Sequence, residues 1–146
     1  MSANCRFAMA VHVMTVLAYK NGDPVSSALL ASSVNTNPVI IRRLLLALQN
    51  GRLIETRKGR GSGSRLSRSP GRITLAEVYK AVETEVPFVL PPNRANGTCP
   101  VGQGISRAIR GVFSSAHAAL QQELAKITLA SVLDVVKAGK NQAHRV

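Results

Sequence analysis

Residues 35–51, which read NTNPVIIRRLLLALQNG, carry the clearest structural signals in the chain. Asn37 is a favourable N-cap, because its side chain can accept a hydrogen bond from a free N–H group of the first helical turn. Pro38 suits the first helical position, where an N–H would lack a partner in any case, and Gly51 is a typical terminator. The sequence therefore predicts a helix over residues 38–50.

One face of this predicted helix is apolar. Four residues recur at helical spacing and form a stripe suited to a hydrophobic core, namely Ile41, Leu44, Leu45 and Leu48. The same spacing leaves Arg42, Arg43 and Gln49 pointing away from the core. The hydrogen-bond donors of these side chains would therefore be available to the groove of a nucleic acid.

A short helix is predicted just before this one. Ser26 is a good N-cap for a helix that ends near Ser33, with Leu29, Leu30 and Val34 turned inward. The polar segment 35–37 is too short for anything but a tight turn. Two helices joined in this way cross at a large angle, as in a helix-turn-helix.

A basic hairpin follows the second helix. Residues 53–57 and 65–68 are predicted as strands, and the glycine-rich segment 58–64 is predicted as a flexible tip. Pro70 and Gly71 end the hairpin. The order of helix, turn, helix and basic hairpin is that of a winged helix-turn-helix, preceded here by a supporting helix near residues 7–18.

The C-terminal part of the chain predicts a long helix that its own domain cannot cover. Residues 86–104 form a loop rich in proline, glycine and asparagine, after which helical periodicity returns. A seam of apolar residues with heptad-like spacing follows, consisting of Ile105, Ile109, Val112, Ala116, Leu120 and Leu124. Pairing with a second copy of the chain is the simplest way to bury this seam, so we expect a homodimer.

These elements define the predicted organisation. The fold class is mainly α with a small β-wing, a winged helix-turn-helix domain plus a long C-terminal dimerisation helix. We assign residues 1–85 to the DNA-binding domain, 86–104 to a loop, 105–136 to the dimerisation helix and a short last helix, and 137–146 to a frayed basic tail.

The net charge points to a polyanionic partner. The chain of 146 residues has 19 lysines and arginines against 7 acidic residues, a balance of +12. The basic residues crowd into 42–72 and do not form one face of a long amphipathic helix, which favours nucleic acid over a membrane surface. Aromatic residues make up only 3%. Stacking on single-stranded bases is therefore disfavoured, and double-stranded DNA is the expected partner.

The predicted DNA contacts divide into two groups. The N-terminal turn of helix 38–50 would read bases in the major groove, and the wing would contact phosphates or the minor groove. The predicted DNA-binding residues are Ser26, Asn35, Thr36, Asn37, Val39, Arg42, Arg43, Lys58, Arg60, Ser62, Arg65 and Arg68. A solvated basic surface is the alternative for any one of these charges.

Catalysis and metal binding have little support in the sequence. The glycine-rich segment 59–63 lacks the Gly-Lys-Ser/Thr ending of a phosphate-binding loop and lies between two predicted strands. The three histidines have no ligand spacing, and no nucleophile with a base and no paired carboxylates stand out. We therefore expect no enzymatic activity and no bound metal.

The two cysteines, Cys5 and Cys99, are too few for a disulfide framework or a four-thiolate metal site, and they favour a cytoplasmic protein. Cys99 comes just before the long helix, whose N-terminal dipole would favour a thiolate together with Arg94 and Arg107. Cys99 is therefore a candidate sensor of thiol oxidation. A small, inert hydrophobic residue is the alternative.

The sequence resembles the Rrf2 type of bacterial winged-helix regulators over nearly its whole length. The residues that carry the resemblance are the Asn35-Thr36-Asn37-Pro38 turn with residues 41–45, the wing 58–63, the helix 73–78 and Thr128-Leu129. This is the family of the iron–sulfur cluster regulator, the nitric-oxide-sensitive repressor and the cysteine-metabolism repressor, and segments 32–38 and 96–102 look most like its YwnA-like subgroup. The resemblance implies a homodimer with crossing C-terminal helices and a transcriptional role, usually repression.

The resemblance also bears on cofactors. The best-known members hold an iron–sulfur cluster through three closely spaced cysteines in the loop before the dimer helix, where this chain has only Cys99. We therefore expect no cluster and no other cofactor. Thiol oxidation, a small ligand between domain and dimer helix, or a partner protein are the effectors left open. The alternative functions are a basic RNA- or ribosome-associated protein and a protein-interaction module built on the long helix.

Overall fold

The computed structural model describes residues 5–83 and 85–143. Its elements are α1 (Cys5–Tyr19), α2 (Ser27–Val34), α3 (Pro38–Asn50), β1 (Ile54–Arg57), β2 (Gly63–Leu66), a 3₁₀ turn (Pro70–Arg72), α4 (Leu75–Val82), α5 (Pro100–Ala125) and α6 (Leu129–Ala143). None of the helices in this part of the chain has the length and apolarity needed to cross a bilayer.

The helix-turn-helix forms with the predicted caps. The Leu29 N–H donates to Ser26 Oγ (3.2 Å), and the Val39 N–H donates to Asn37 Oδ1 (2.8 Å). Asn35 ends α2 in the left-handed conformation (φ 60°), which reverses the chain in a few residues. The predicted limits of α3 are confirmed, since the helix runs from Pro38 to Asn50.

The hydrophobic core lies where α1, α3 and α4 meet. Met14, Ile41 and Val78 are completely buried there, and the predicted stripe of α3 faces this core. The prediction for α2 was partly wrong, because Leu29 is 47% exposed and the buried residues are Leu30 and Ala31. An eight-residue helix that lies on α1 has one narrow contact face, and neighbouring residues are about 100° apart around it.

The wing is a two-stranded antiparallel sheet that is shifted from the prediction. Ile54 pairs with Leu66 and Arg57 pairs with Gly63, so the tip is residues 58–62. The returning strand was predicted at residues 65–68, but it begins two residues earlier and ends at Leu66. The reason is a contact outside the hairpin.

This contact joins the wing to the helix-turn-helix. The Val25 N–H donates to the Ser64 carbonyl and the Ser64 N–H donates to the Val25 carbonyl, both at 2.9 Å. Gly63 has a φ of 141°, and a Cβ there would lie 2.8 Å from the Val25 backbone. Because Val25 immediately precedes the N-cap of α2, the wing and the helix-turn-helix have a fixed relative position.

The C-terminal helices are longer than predicted. Pro100 occupies the first position of α5, so the loop ends at Cys99 and not at residue 104. The last helix does not stop near residue 136 but continues to Ala143, where residues 137–146 were predicted to be frayed. Lys140 Nζ donates to the Tyr19 hydroxyl (3.2 Å) and so holds the end of α6 against α1. Residues 144–146 of the predicted tail lie outside the described residues.

Replacing Gly63 by alanine is expected to destabilise the domain, because the φ of 141° and the close Val25 backbone both exclude a Cβ. The free energy of unfolding should fall by more than about 1 kcal/mol in urea titrations followed by far-UV circular dichroism. Gly71→Ala is the matched control, since a Cβ there meets nothing within 4 Å and its φ is ordinary. Its effect should stay within about 0.5 kcal/mol, and equal effects of the two substitutions would contradict the role of the bridge.

Candidate nucleic-acid interface

Three elements converge on one open cleft of about 550 Å³ between α3 and the wing. The N-terminus of α2 contributes Ser26 and Ser27, and the wing contributes seven residues. The α3 residues are Arg42, Leu45, Leu46 and Gln49. The wing residues that line the cleft are Thr56, Arg57, Lys58, Gly59, Ser62, Gly63 and Ser64. The structure thus brings together four predicted DNA-binding residues that are distant in sequence, namely Ser26, Arg42, Lys58 and Ser62.

The remaining predicted residues of the helix-turn-helix lie outside this cleft, around the N-terminal turn of α3. Val39 is 47% exposed there although it is apolar, and Arg43 is also exposed. Asn35 and Asn37 stabilise the helix ends, because Asn35 is the C-cap of α2 and Asn37 is the N-cap of α3. This turn therefore presents one apolar side chain beside a cation, on a helix whose other side is fixed in the core.

The wing tip carries cations on a backbone that requires glycine. Lys58 and Arg60 are exposed. Gly59 and Gly61 have φ values of 92° and 70°, and a Cβ at either position would meet nothing within 4 Å. Glycine is needed here for the turn conformation and not for space.

Two of the predicted DNA contacts are engaged within the protein. Arg65 Nη2 lies 3.1 Å from Glu55 Oε2, and Arg68 Nη2 lies 2.6 Å from Glu77 Oε1. Their charges are therefore partly compensated. In the part of the chain that the structure describes, Arg42, Arg43, Lys58 and Arg60 form no ion pair, so α3 and the wing tip carry uncompensated positive charge.

Arg57 and Ser27 line the cleft although they are not among the predicted DNA-binding residues, and Gln49, which was predicted to point away from the core, lies there too. Arg57 is the last residue of β1 and pairs with Gly63. Its place beside Lys58 in a basic run was the available signal. The inclusion of Ser27 depends on the Val25–Ser64 bridge, which has no local sequence signature.

Glu77 links the wing to α4. Its carboxylate accepts from the Thr74 N–H (2.9 Å) in a capping box and pairs with Arg68. Desolvation raises the pKa of Glu77, but the bonds from Thr74 and the charge of Arg68 together outweigh it, so the pKa lies below its ordinary value. The ionised form is therefore the one that stabilises the folded domain.

Cys99 lies at the start of α5, in an ordered turn outside the cleft. The Cys99 N–H donates to the Asn96 carbonyl (3.3 Å), and the Gln103 side chain donates to the Gly97 carbonyl (2.8 Å). The thiol is exposed and makes no capping hydrogen bond to α5. Its role as a sensor stays a prediction.

The donor set does not fit an iron–sulfur cluster held by one chain. Among the described residues no three His, Cys, Asp or Glu side chains are grouped as a metal site would require. Cys99 is the only thiol of its loop, whereas such clusters are commonly held by several cysteines.

Together, the capped helix pair, the glycine-tipped hairpin and the uncompensated cations around one cleft define a winged helix-turn-helix of the DNA-binding regulator class. The comparisons with known proteins make this more specific. The chain belongs to the Rrf2 family, whose model, described as an iron-dependent transcriptional regulator, matches residues 3–135. The resemblance noted from the sequence is thereby confirmed. Members of this family are transcriptional regulators and not enzymes.

Individual relatives agree with this assignment. The chain is 34% identical over 131 residues to YwnA of Bacillus subtilis, which is named as an HTH-type transcriptional regulator. The alignment covers 90% of this chain and 96% of YwnA. A crystal structure described as that of a DNA-binding protein has 34% identity and a TM-score of 0.70, over 88% of this chain and 98% of the other. The cysteine regulator CymR of B. subtilis shares the fold, with 21% identity and a TM-score of 0.66 over 89% and 94% of the two chains.

Glu77→Gln is expected to change how stability depends on pH. A lowered folded-state pKa gives stability that is present above the ordinary value of 4.5 and is lost as the pH falls through the folded value. The wild type should therefore exceed the variant in free energy of unfolding at neutral pH, and the gap should narrow below about pH 4. Urea titrations at several pH values measure it, and a gap independent of pH would contradict this account of Glu77.

Proposed function

We propose that the protein is a homodimeric repressor that binds a partly palindromic operator in double-stranded DNA. The observation that carries the proposal is the shared surface of α3 and the wing, on which Arg42, Arg43, Lys58 and Arg60 have no acidic partner within the described residues. Cations that are not neutralised by the protein are available to phosphates and base edges.

The geometry supports a division of labour within this surface. The N-terminal turn of α3 is the part of a recognition helix that reaches base edges, where Val39 suits a thymine methyl group and Arg43 suits guanine. The cleft between α3 and the wing suits the sugar–phosphate backbone, because Ser26, Arg42 and Lys58 approach it from three elements. Arg65 and Arg68 contribute less, since each already pairs with a glutamate.

The homodimer is proposed from the surface of α5. This helix has 26 residues, about 39 Å, and none of them is buried. The predicted seam includes Ile105, Val112 and Leu120, which are 40%, 59% and 37% exposed. Contact with a second α5 would bury this stripe and set two α3 helices at the spacing of successive major grooves, about 34 Å.

The DNA-binding proposal is tested by gel shifts with the DNA upstream of the gene over a salt series. If six to ten phosphates are contacted, affinity should fall roughly a thousandfold or more between about 50 and 200 mM salt. Arg43→Ala should relax the preference for the operator over random DNA, by roughly tenfold or more for a lost base contact. Lys58→Ala should weaken binding to both DNAs alike and reduce the salt slope by about one.

Lys126→Ala is the matched control for these charge changes, because Lys126 pairs with Glu123 at the end of α5. It should leave both affinities almost unchanged. A wild type without preference for any upstream sequence would contradict the regulator proposal, and stronger competition by RNA than by duplex DNA would favour an RNA-associated protein instead.

Val112→Glu is expected to convert the dimer into a monomer, because it places a charge within the exposed seam. Ala118→Glu is the control, since it is also exposed and lies about 120° around the helix from Val112. Multi-angle light scattering at micromolar concentration should give a dimer for the wild type and the control and a monomer for Val112→Glu. A monomeric wild type would contradict the dimer proposal.

A further inference from the structure

A second concave surface lies away from the proposed DNA-binding face, between α1, α2 and α6. Its volume is about 600 Å³, within the usual range for small-molecule sites. The helix α1 forms its floor, and α2 and α6 form its two walls. The apolar residues that line it include Val11, Val16, Leu29, Val132, Leu133 and Val136.

Large apolar side chains around this groove are left in contact with solvent. Tyr19, Leu29 and Val136, one from each helix, are 49%, 47% and 52% exposed. Isolated apolar residues on a surface need no explanation, but a contiguous set around a concavity is typical of a binding site. Another molecule can therefore gain considerable free energy by covering them.

One end of the groove is cationic. Lys140 Nζ donates to the Tyr19 hydroxyl (3.2 Å) and lies 5.6 Å from the centre of its ring, and Lys20 lines the groove beside them. The hydrogen bond and charge of Lys140, with smaller effects of Lys20 and Lys137, lower the pKa of Tyr19. Among the described residues none of these three lysines forms an ion pair with a carboxylate.

The polar groups elsewhere in the groove are already satisfied. His12 Nε2 and Ser33 Oγ lie 3.0 Å apart and hydrogen-bond to each other, and Thr15 Oγ1 donates to the Val11 carbonyl at 2.7 Å. These bonds engage three of the polar side chains in the body of the groove within the protein itself. Among the described residues that line the groove, the lysine is Lys20, at the end near Tyr19.

We propose that this groove binds an amphipathic organic acid, with its carboxylate at Lys20 and Lys140 and its aliphatic chain along Val16 and Val136. The carboxylate supplies the negative partner that these lysines lack, and it accepts charge-assisted hydrogen bonds from their ammonium groups. The chain covers the exposed apolar side chains of α2 and α6. A neutral alcohol of equal length would satisfy only the second of these requirements.

The site also connects the C-terminal helix with the DNA-binding unit. Leu29 and Ser33 of α2 and Val136 of α6 line the same groove, and α2 is the first helix of the helix-turn-helix. A ligand between these walls would change the affinity for DNA if it prefers one of their arrangements. This regulatory consequence rests on the proposed function, whereas binding of the acid does not.

Calorimetric titration of the full-length protein with octanoate tests the site directly. Octanoate should bind saturably, and octanol should bind at least about tenfold more weakly because it lacks the charge-assisted bonds. Lys20→Ala should weaken octanoate binding several-fold and leave octanol binding unchanged. Lys140→Ala should weaken octanoate binding by a larger factor than octanol binding, because Lys140 also holds α6 against α1. Equal affinity for octanoate and octanol, or no saturable binding of octanoate, would overturn the proposal.

Two neighbouring substitutions on α6 locate the site. Val136→Glu places a carboxylate in the groove and should weaken octanoate binding by at least about tenfold through like-charge repulsion. Val135→Glu is the matched control, because Val135 is 73% exposed and does not line the groove. Equal effects of the two variants would overturn the assigned location, as would a monomeric Val136→Glu beside a dimeric control, which would make the groove a subunit contact.

Measuring operator affinity in the same preparations separates this proposal from the previous one. If the wild-type protein binds its operator but does not bind octanoate saturably, only the acid site is overturned. Saturable octanoate binding by a protein that prefers no DNA sequence would support the site and contradict only the regulatory role.

Discussion

The orientation of the proposed DNA-binding surface depends on the pair of backbone hydrogen bonds between Val25 and Ser64, each 2.9 Å long. A two-stranded hairpin is marginally stable alone and has no fixed direction relative to its neighbours. Here Ser64 continues the pairing onto Val25, which precedes the N-cap of α2, and Gly63 permits the close approach. The cleft between α3 and the wing, with its convergent cations, is a consequence of this connection.

The few acidic residues show how the surface charge is divided. Glu55 pairs with Arg65 across the two strands of the wing. Glu77, which also caps α4, pairs with Arg68 just after the wing. Exposed pairs of this kind contribute little to stability, typically about 1 kcal/mol or less. Their larger effect is on recognition, because a paired arginine has less net charge to offer a phosphate. Within the described residues Arg42, Arg43, Lys58 and Arg60 have no such pair and keep their full charge for DNA.

Local signals predicted the helix-turn-helix well, and contacts between distant residues explain where prediction failed. The limits of α3 follow from Asn37 and Pro38, whose effects act within one helical turn. The register of the wing and the place of Ser27 in the cleft depend on a strand contact across about forty residues, which no local pattern encodes. The exposure of Leu29 and the C-terminal length of α6 depend on contacts with α1. Helical periodicity alone therefore could not predict either of them.

The two ends of α6 are held by interactions of different strength. At its start, Leu129 is buried and its N–H donates to the Ile73 carbonyl (2.9 Å), next to the backbone bond from Leu75 to Ile127. Near its end, the contact seen among the described side chains is between the exposed Lys140 and Tyr19, as a hydrogen bond and a cation–π contact. A segment opens locally at the lowest cost in free energy when it has few buried contacts and its hydrogen bonds are exposed to solvent. The end of α6 is therefore held less firmly than its start. It brings Lys140 to the cationic end of the groove to which we assign an organic acid, whereas Val132, Leu133 and Val136, earlier in the helix, form the wall.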